Sequence, residues 1–301
     1  MTMMRTSFGD ILAPGFREIF FQNYKYEQTG VEQIFKVNTS NRQYEDDSYV
    51  AGFGLVPKKT EGAAVSYDDP VQGYNKRYTH DTYSMAYRVT KEMYEDELYG
   101  IMKKLPAALG RSMMATLSVD AASVLNNGTS GSYLGGDGVA LFSTLHPLVG
   151  GGTQKNKTTT DADLSETTLE QAFIDIADTT DDRGLLLHLT PQRIFVPPEM
   201  AWYAHQLFGT NKTLDANNTI NPANTGFDLS GRLEVVVLRH LTGDDDVFIQ
   251  CTEHEMHWFW RVRPDHMQGN DFDTDDAKYK VRGRWSHGWS MPWGMFAIYG
   301  A

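Results

Sequence analysis

The segment from Cys251 to Pro264 places two histidines beside two glutamates, a grouping of residue types that can hold a metal ion. The zincin motif needs His-Glu-x-x-His on a helix, with the histidines four residues apart and the glutamate as the base. Here His254 and His257 are only three residues apart, with Glu255 between them. The β-branched and aromatic flanks favour strands, in which an odd spacing sends two side chains to opposite faces. The interpretation favoured is a polar turn joining two hairpin strands, and a metal-dependent hydrolase using these three residues is the alternative.

Other groups of chemically capable residues lack the remainder of their motif. The acidic run 271–276 resembles the start of a calcium loop, but an aspartate stands where the sharp turn needs glycine. His146 could serve as a general base, but the nearby Ser143 lies in no nucleophile-elbow context, so anchoring of a loop by His146 is favoured. Trp285, Trp289 and Trp293 could stack on bases or sugars, but packing or subunit contacts are favoured. The sequence therefore predicts no enzyme activity, no cofactor and no bound metal.

Composition narrows the class of protein. The chain has 301 residues, 41% of them hydrophobic, and a formal net charge of -12. Its averaged field repels phosphate backbones and anionic membranes, which argues against sequence-independent nucleic-acid binding. Cys251 is the single cysteine and excludes an internal disulfide framework. Because no signal peptide and no apolar run of roughly 18 residues is found, the expectation is a soluble intracellular product.

The chain is organised around one long excursion and one long helix. Residues 41–76 are charged and glycine-containing without apolar periodicity, which is too long for an ordinary loop and predicts a functional segment or a projecting hairpin. Residues 76–89 alternate as a strand does. Apolar residues then recur every three or four positions over about 91–126, which predicts a helix capped by Thr90. The following segment 128–157 is rich in glycine and predicts a loop.

The remaining pattern predicts a mixed architecture. A short amphipathic helix is expected at 14–26. The other predicted elements are helices at 164–177 and 198–208, and strands at 193–196, 233–238, 247–251, 256–262, 279–285 and 295–299. The expected class is α+β, with one dominant helix. A projecting segment, a beam-like helix and sheet-rich lobes suit a protein that works by contacting copies of itself.

Five segments in this order resemble the major capsid protein of tailed phages, which has the Hong Kong 97 type fold, and especially the head subunits of Mu-like phages. The segments are Leu12–Phe16 (LAPGF), Glu61–Asp68 (EGAAVSYD), Tyr87–Gly100 (YRVTKEMYEDELYG), Asp137–Pro147 (DGVALFSTLHP) and Tyr279–Trp289 (YKVRGRWSHGW). Each segment alone is a modest signal, but the five follow one another in the expected order, and the resemblance extends over nearly the whole chain.

The resemblance implies a domain plan and a function. The implied parts are an N-terminal arm (1–45), an extended hairpin called the E-loop (46–86), a peripheral domain (87–184) with a spine helix at about 91–126, a sheet-rich axial domain (185–262) and a return to the peripheral domain (263–301). The implied function is self-assembly into hexamers and pentamers of an icosahedral virion capsid enclosing double-stranded DNA. An encapsulin-like compartment with enzyme cargo is the alternative within this fold.

The resemblance also implies partners and an assembly surface. Expected partners are further copies of the chain, a separate scaffolding protein, a portal protein and a decoration protein, with assembly in the host cytoplasm and no membrane. The hypothesis is that the E-loop lies on a neighbouring subunit through charge contacts. The residues expected to make these contacts are Lys58, Lys59, Glu61, Asp68 and Asp69.

Overall fold

The helices and strands confirm the expected α+β class. The structure is a computed structural model that describes residues 9–25, 29–62, 64–90, 92–93, 96, 101–208, 233–270 and 276–300. The helices are α1 (Gly9–Asn23), α2 (Val31–Ile34), α3 (Ile101–Asn126), α4 (Glu166–Ala177) and α5 (Ala201–Phe208). The strands are β1 (Lys36–Thr39), β2 (Tyr44–Ala51), β3 (Val71–Thr79), β4 (Asp81–Val89), β5 (His146–Pro147), β6 (Thr153–Gln154), β7 (Pro191–Val196), β8 (Glu234–Val237), β9 (Val247–Cys251), β10 (Met256–Asn270), β11 (Ala277–Trp289) and β12 (Met295–Ile298).

The strands form two four-stranded sheets and two short ribbons. The first sheet has the order β1-β10-β11-β4, with β1 parallel to β10 and β11 antiparallel to β4. The second sheet has the order β12-β9-β7-β8, with β7 parallel to β8 and the other pairs antiparallel. The ribbons are β2-β3 and β5-β6. Each large sheet therefore combines strands that are distant in sequence.

The chain divides into two compact units. The first comprises the described residues of 1–45, 78–121 and 257–287, and so contains the first sheet, α1 and most of α3. The second comprises the described residues of 46–77, 122–256 and 288–301, and contains the second sheet, α4 and α5. Each unit is thus discontinuous in sequence.

The long helix is confirmed over the described part of its expected range. Its buried face carries Leu109, Met113, Leu117 and Ala121 at intervals of four, the spacing that places side chains on one face. Upstream, the hydroxyl of Thr90 accepts a hydrogen bond from the backbone N–H of Met93 at 3.3 Å, as an N-cap does. Most of 91–100 lies outside the described residues. None of the described helices combines the length and hydropathy that a membrane crossing requires.

Helix α1 packs in the first unit, and it begins at Gly9, earlier than the expected residue 14. Phe16 forms a core cluster with Val89 and Tyr279, and its ring lies edge-on to that tyrosine at a centroid distance of 5.5 Å. On α3, Gly110 faces the end of α1: a Cβ there would lie 2.7 Å from the carbonyl oxygen of Phe20. A glycine is therefore what allows the two backbones to approach this closely.

The core of the second unit lies between α4 and the second sheet. Its buried members are Leu164, Leu169, Ala172, Ile176, Ile194, Val196, Ala204, Phe208, Leu233, Val247, Ile249, Cys251, Phe296 and Ile298. Ser165 begins α4 with a capping box, which confirms the expected helix start. Burial raises the pKa of the Cys251 thiol to about 12, so this thiol stays protonated at neutral pH and is poorly nucleophilic.

The bounds expected for the E-loop, 46–86, stay a prediction, and they take in more than one hairpin. The excursion is a hairpin, as expected, but β3 ends at Thr79 and a separate strand β4 begins at Asp81. Strand β4 pairs with β11 in the first sheet, with Met85 opposite Val281. The alternation over 76–89 therefore belongs to two strands separated by His80, which is buried. Period-2 alternation continues through such a junction, so the pattern alone could not locate it.

Strand pairing divides the segment 263–301 between the two large sheets, whereas the whole segment was expected to return to the peripheral domain. Strand β11 lies in the first sheet, whereas β12 pairs with β9 in the second, with Phe296 opposite Ile249. The names peripheral and axial stay a prediction. Strand β12 completes the sheet of the second unit, and its apolar residues are buried throughout its length.

Candidate assembly surface

A hairpin carries the segment expected to contact neighbouring subunits. Strands β2 and β3 pair, and residues 52–70 between them, here called the tip loop, have no regular secondary structure among the residues described. At its root, Arg77 donates from Nε and Nη2 to the two carboxylate oxygens of Asp46, at 2.6 and 2.8 Å. These hydrogen bonds lower the pKa of Asp46. The two-point contact fixes one strand against the other.

The root of the hairpin also binds the glycine-rich segment 128–157. Lys76 donates to the backbone carbonyl of Leu134, and its ammonium lies 5.4 Å from the centroid of the Trp289 ring. Gly136 lies against the backbone of Asn75, since a Cβ at Gly136 would meet that carbonyl oxygen at 2.9 Å. The hairpin therefore rises from a base held by backbone contacts.

A buried histidine holds the glycine-rich segment itself. His146 Nδ1 lies 2.7 Å from Asp137 Oδ2, and Nε2 lies 3.1 Å from Asn156 Oδ1. The same amide of Asn156 donates to the carbonyl of Leu141 at 2.7 Å and accepts from the backbone N–H of Ser143 at 2.9 Å. The expected loop-anchoring role of His146 is confirmed by these contacts.

Large apolar side chains lie exposed on the tip loop. They are the apolar tip residues: Phe53 (57% exposed), Leu55 (85%), Val56 (91%), Val65 (62%) and Tyr67 (94%). Exposed apolar side chains concentrated on one segment mark an interaction surface, whereas scattered single ones need no explanation. None of these residues was among the predicted contact residues, although the apolar residues within GFGLVP and AAVSY were the available signal.

The five charged residues expected at the subunit contacts all lie on the tip loop and are exposed. Lys58, Lys59 and Glu61 lie near its middle, and Asp69 lies near β3. Within the described part of the chain, none of these four forms an ion pair with its own subunit. Their contact with a neighbour stays a prediction.

Asp68 differs because it has a partner within the chain. Its carboxylate forms an ion pair with the guanidinium of Arg183 and accepts a hydrogen bond from the backbone N–H of Gly54 at 3.0 Å. Two hydrogen bonds lower the pKa of Asp68, and the one from Arg183 has a larger effect than the one from Gly54. The carboxylate is therefore ionised at neutral pH and already occupied by its own subunit.

The sequence matches a known family. A family model of phage capsid proteins matches residues 73–298, well over half of the chain. The chain belongs to the phage capsid protein family. The match confirms the resemblance to tailed-phage major capsid proteins, and the encapsulin-like compartment is not favoured. No curated protein matches the sequence.

Solved structures share the fold of this phage capsid protein. The capsid of the cyanophage P-SCSP1u is 10% identical, with a TM-score of 0.57 over 89% of this chain and 86% of that one. A virus-like particle from Pyrococcus furiosus is 11% identical, with a TM-score of 0.53 over 94% and 97%. The capsid of bacteriophage JBD30, decorated with minor capsid protein trimers, is 14% identical, with a TM-score of 0.55 over 70% and 90%. The likeness confirms the Hong Kong 97 type fold.

In this capsid protein, the two histidines that suggested a metal site have different surroundings. Strand β9 ends before them and β10 begins at Met256, in a different sheet, so the expected hairpin within one lobe is wrong. His254 is 8% exposed, and its Nδ1 accepts from the N–H of Met256 at 3.3 Å. The close passage of Gly294, whose Cβ would lie 2.7 Å from the Cα of His254, helps to bury it. His254 is therefore buried within its own subunit.

His257 lies in β10 and belongs to an aromatic group. Its ring centroid is 5.8 Å from that of Phe259 and 6.4 Å from that of Tyr78. Because His254 lies in the connection between β9 and β10, and His257 lies in β10 itself, the helical face that the zincin motif needs is not formed.

The three tryptophans near the end of the chain pack inside the protein. Trp285, Trp289 and Trp293 are 1%, 4% and 8% exposed. Stacking on bases or sugars requires an accessible ring face. The favoured interpretation, packing, is therefore confirmed for all three.

Proposed function

We propose that this phage capsid protein is the major head subunit, which self-assembles into hexamers and pentamers of an icosahedral shell enclosing double-stranded DNA. The observation that carries the proposal is the tip loop, whose apolar residues lie in solvent although the loop rises from a firmly held base. Membership of the phage capsid protein family supports it. The role proposed is structural, without enzyme activity.

The mechanism proposed is docking of the tip loop on a second copy of the chain. Fully burying an apolar side chain such as Leu, Val or Phe contributes about 1.5–3 kcal/mol, so five of them supply on the order of 10 kcal/mol before costs. Loss of translational freedom and ordering of the loop consume a large share of this. One contact is then weak, and a closed shell gains its stability from many such contacts at once.

The charge balance is consistent with a DNA container. With a net charge of -12, the subunit repels the phosphate backbone, so the packaged genome is enclosed without being gripped. Further proposed partners are a separate scaffolding protein, a portal protein and a decoration protein, with assembly in the host cytoplasm. The decorated JBD30 capsid, a fold relative, carries minor capsid protein trimers.

Electron microscopy of the expressed protein tests the proposal directly. The wild-type chain is expected to give closed shells, capsomers or tubes. The double substitution Leu55→Asp and Val56→Asp places two carboxylates on the tip loop, and it should abolish particles while leaving a folded subunit, because both side chains are almost fully exposed. The matched control Leu55→Met and Val56→Ile keeps apolar area and should still assemble. A wild-type protein that remains a uniform monomer at high concentration refutes the proposed function.

The charges of the tip loop are tested separately. Changing Lys58 and Lys59 to Glu should weaken shell formation through repulsion at the contact, whereas changing both to Arg preserves the charge and should not. Particle yield by sedimentation is the readout, with circular dichroism as the check on folding. Unaltered yield of the glutamate variant would show that these lysines lie outside the contact.

A further inference from the structure

One ion pair joins the tip loop to the remainder of the second unit. Both carboxylate oxygens of Asp68 lie in hydrogen-bonding contact with Nη2 of Arg183. Among the tip-loop residues that the structure describes, 52–62 and 64–70, Asp68 is the one side chain that forms an ion pair or hydrogen bond beyond the loop. The path of the tip loop therefore depends on a single polar attachment.

The same carboxylate also joins the two limbs of the loop. Oδ2 of Asp68 accepts from the N–H of Gly54, a residue 14 positions earlier, at 3.0 Å. Gly54 follows the end of β2, and Asp68 precedes the start of β3. The contact with Arg183 thus lies at the base of the apolar tip and fixes both limbs at one point.

Arg183 is itself held by a well-braced turn. The backbone N–H groups of Arg183 and Leu185 both donate to Oδ1 of Asp181, at 2.9 and 2.8 Å, and Asp181 N–H donates to the carbonyl of Leu185 at 2.7 Å. The next residue, Asp182, accepts through Oδ1 from the N–H of Val149 at 2.9 Å. The guanidinium is therefore presented from a fixed backbone, as a positioning group requires.

The ion pair does not hide the surface of the tip. With the pair formed, Leu55, Val56 and Tyr67 are still 85%, 91% and 94% exposed. A contact that kept the loop inactive would have to cover these side chains. The pair instead constrains where they project, which reduces the ordering that docking must otherwise supply.

We infer that Arg183 is a positioning residue for assembly: through Asp68 it fixes the direction in which the tip loop leaves its own subunit, so that the apolar tip is pre-oriented for a second copy of the chain. The inference rests on the proposed function. Arg183 lies outside the tip loop, so on this inference it acts on assembly through Asp68 and not through a contact of its own with the neighbouring subunit.

The critical concentration for assembly tests this role. Arg183→Gln and Asp68→Asn should each raise it about two- to fivefold, the scale expected for one exposed ion pair, without changing the urea midpoint of the unassembled subunit. The reciprocal swap Asp68→Arg with Arg183→Asp should lower the critical concentration below that of either single variant but not to the wild-type value, because an arginine at position 68 cannot accept from the N–H of Gly54. In 1 M salt the difference between Arg183→Gln and wild type should shrink, because the Debye length falls to about 3 Å.

A matched ion pair elsewhere in the second unit provides the control. Arg193 and Glu234 lie 2.8 Å apart with side chains 25% and 56% exposed, close to the 23% and 46% of Arg183 and Asp68. Arg193→Gln should leave the critical concentration unchanged.

Two outcomes overturn the inference: a critical concentration that is unchanged or lowered in Arg183→Gln, or an equal rise in Arg193→Gln. If Leu55→Asp with Val56→Asp blocks assembly while Arg183→Gln does not, the positioning role fails and the proposed function stands. A wild-type chain that forms no particles refutes both.

Discussion

The contact between α1 and α3 makes a sharp prediction about Gly110. In an ordinary helix interior, Gly→Ala stabilises by about 1 kcal/mol, because alanine has the higher helix propensity. At Gly110 the new methyl group would lie 2.7 Å from the carbonyl oxygen of Phe20, 3.4 Å from the nitrogen of Tyr24 and 3.5 Å from the Cβ of Asn23. The nearest of these atoms is backbone, so rotation of a side chain cannot relieve the contact.

The two effects have opposite signs and can be compared. Forcing an extra methyl group into a packed site costs about 1–3 kcal/mol. Moving the Phe20 carbonyl also disturbs the hydrogen bond that it accepts from Tyr24 N–H at 2.9 Å, at the end of α1. Subtracting the propensity gain of about 1 kcal/mol leaves a net destabilisation of about 1 kcal/mol for Gly110→Ala.

Gly15 provides the matched control on α1. A Cβ at Gly15 would meet nothing within 4 Å, so Gly15→Ala should stabilise by about 0.5–1 kcal/mol through propensity alone. Urea unfolding followed by tryptophan fluorescence suits the measurement, because Trp258, Trp260 and Trp285 in the first unit are buried. Both substitutions should be made in the variant that carries Leu55→Asp and Val56→Asp, which is expected not to assemble, so that subunit unfolding is measured separately from shell dissociation. Equal stabilisation by both substitutions would refute the close approach of α1 to α3.

Three further predictions concern buried polar groups. Asp120→Ala leaves the indole N–H of Trp285, now 2.6 Å from the carboxylate, unsatisfied, and it should lower the free energy of unfolding in urea by about 1–3 kcal/mol. Asn156→Leu removes the amide that donates to Leu141, and limited proteolysis should then cut the glycine-rich segment faster than in wild type. Burial lowers the pKa of His80, so the unfolded chain takes up this proton first as the pH falls. The contribution of His80 to the free energy of unfolding should be complete above about pH 6.5 and decline below it by up to about 1.4 kcal/mol per pH unit until the folded pKa is reached. The decline should be less steep in His80→Gln. A free energy of unfolding that rises between pH 7 and 5.5 would contradict the lowered pKa of His80.

The elements predicted well are those whose pattern is local. Strand β9 and the buried face of α3 follow from apolar runs and three-to-four-residue spacing, which any window of the sequence contains. Strand β1 was not predicted, because Lys-Val-Asn-Thr carries little strand signal of its own. It forms by pairing in parallel with β10, with Lys36 opposite His257. Pairing across more than 200 positions is a property of the fold and leaves no local mark.

The sequence predicted where the chain projects, but it did not predict which apolar side chains are exposed there. The excursion before the long helix led correctly to the tip loop, since a long segment without core periodicity must project or be disordered. Its charged residues were then favoured because apolar residues are assigned to a core by default. Leu55 and Val56 violate that default, and their exposure could be seen only after the strands on either side had paired. Arg183 was missed for the same reason, as its partner Asp68 is 115 positions away.

The exposed apolar side chains of the tip loop would promote aggregation of subunits before assembly unless a repulsive force kept the subunits apart. The net charge of -12 provides one, because like-charged subunits repel over about a Debye length, roughly 8 Å at physiological ionic strength. Apolar attraction acts only at contact, so random encounters meet the repulsion without gaining the burial. On the inference that Arg183 fixes the direction of the tip loop, the loop would reach a neighbour in one orientation, and burial of the apolar tip in that orientation would offset the repulsion. Pre-orientation therefore favours ordered shell growth over the indiscriminate aggregation that such side chains would otherwise promote.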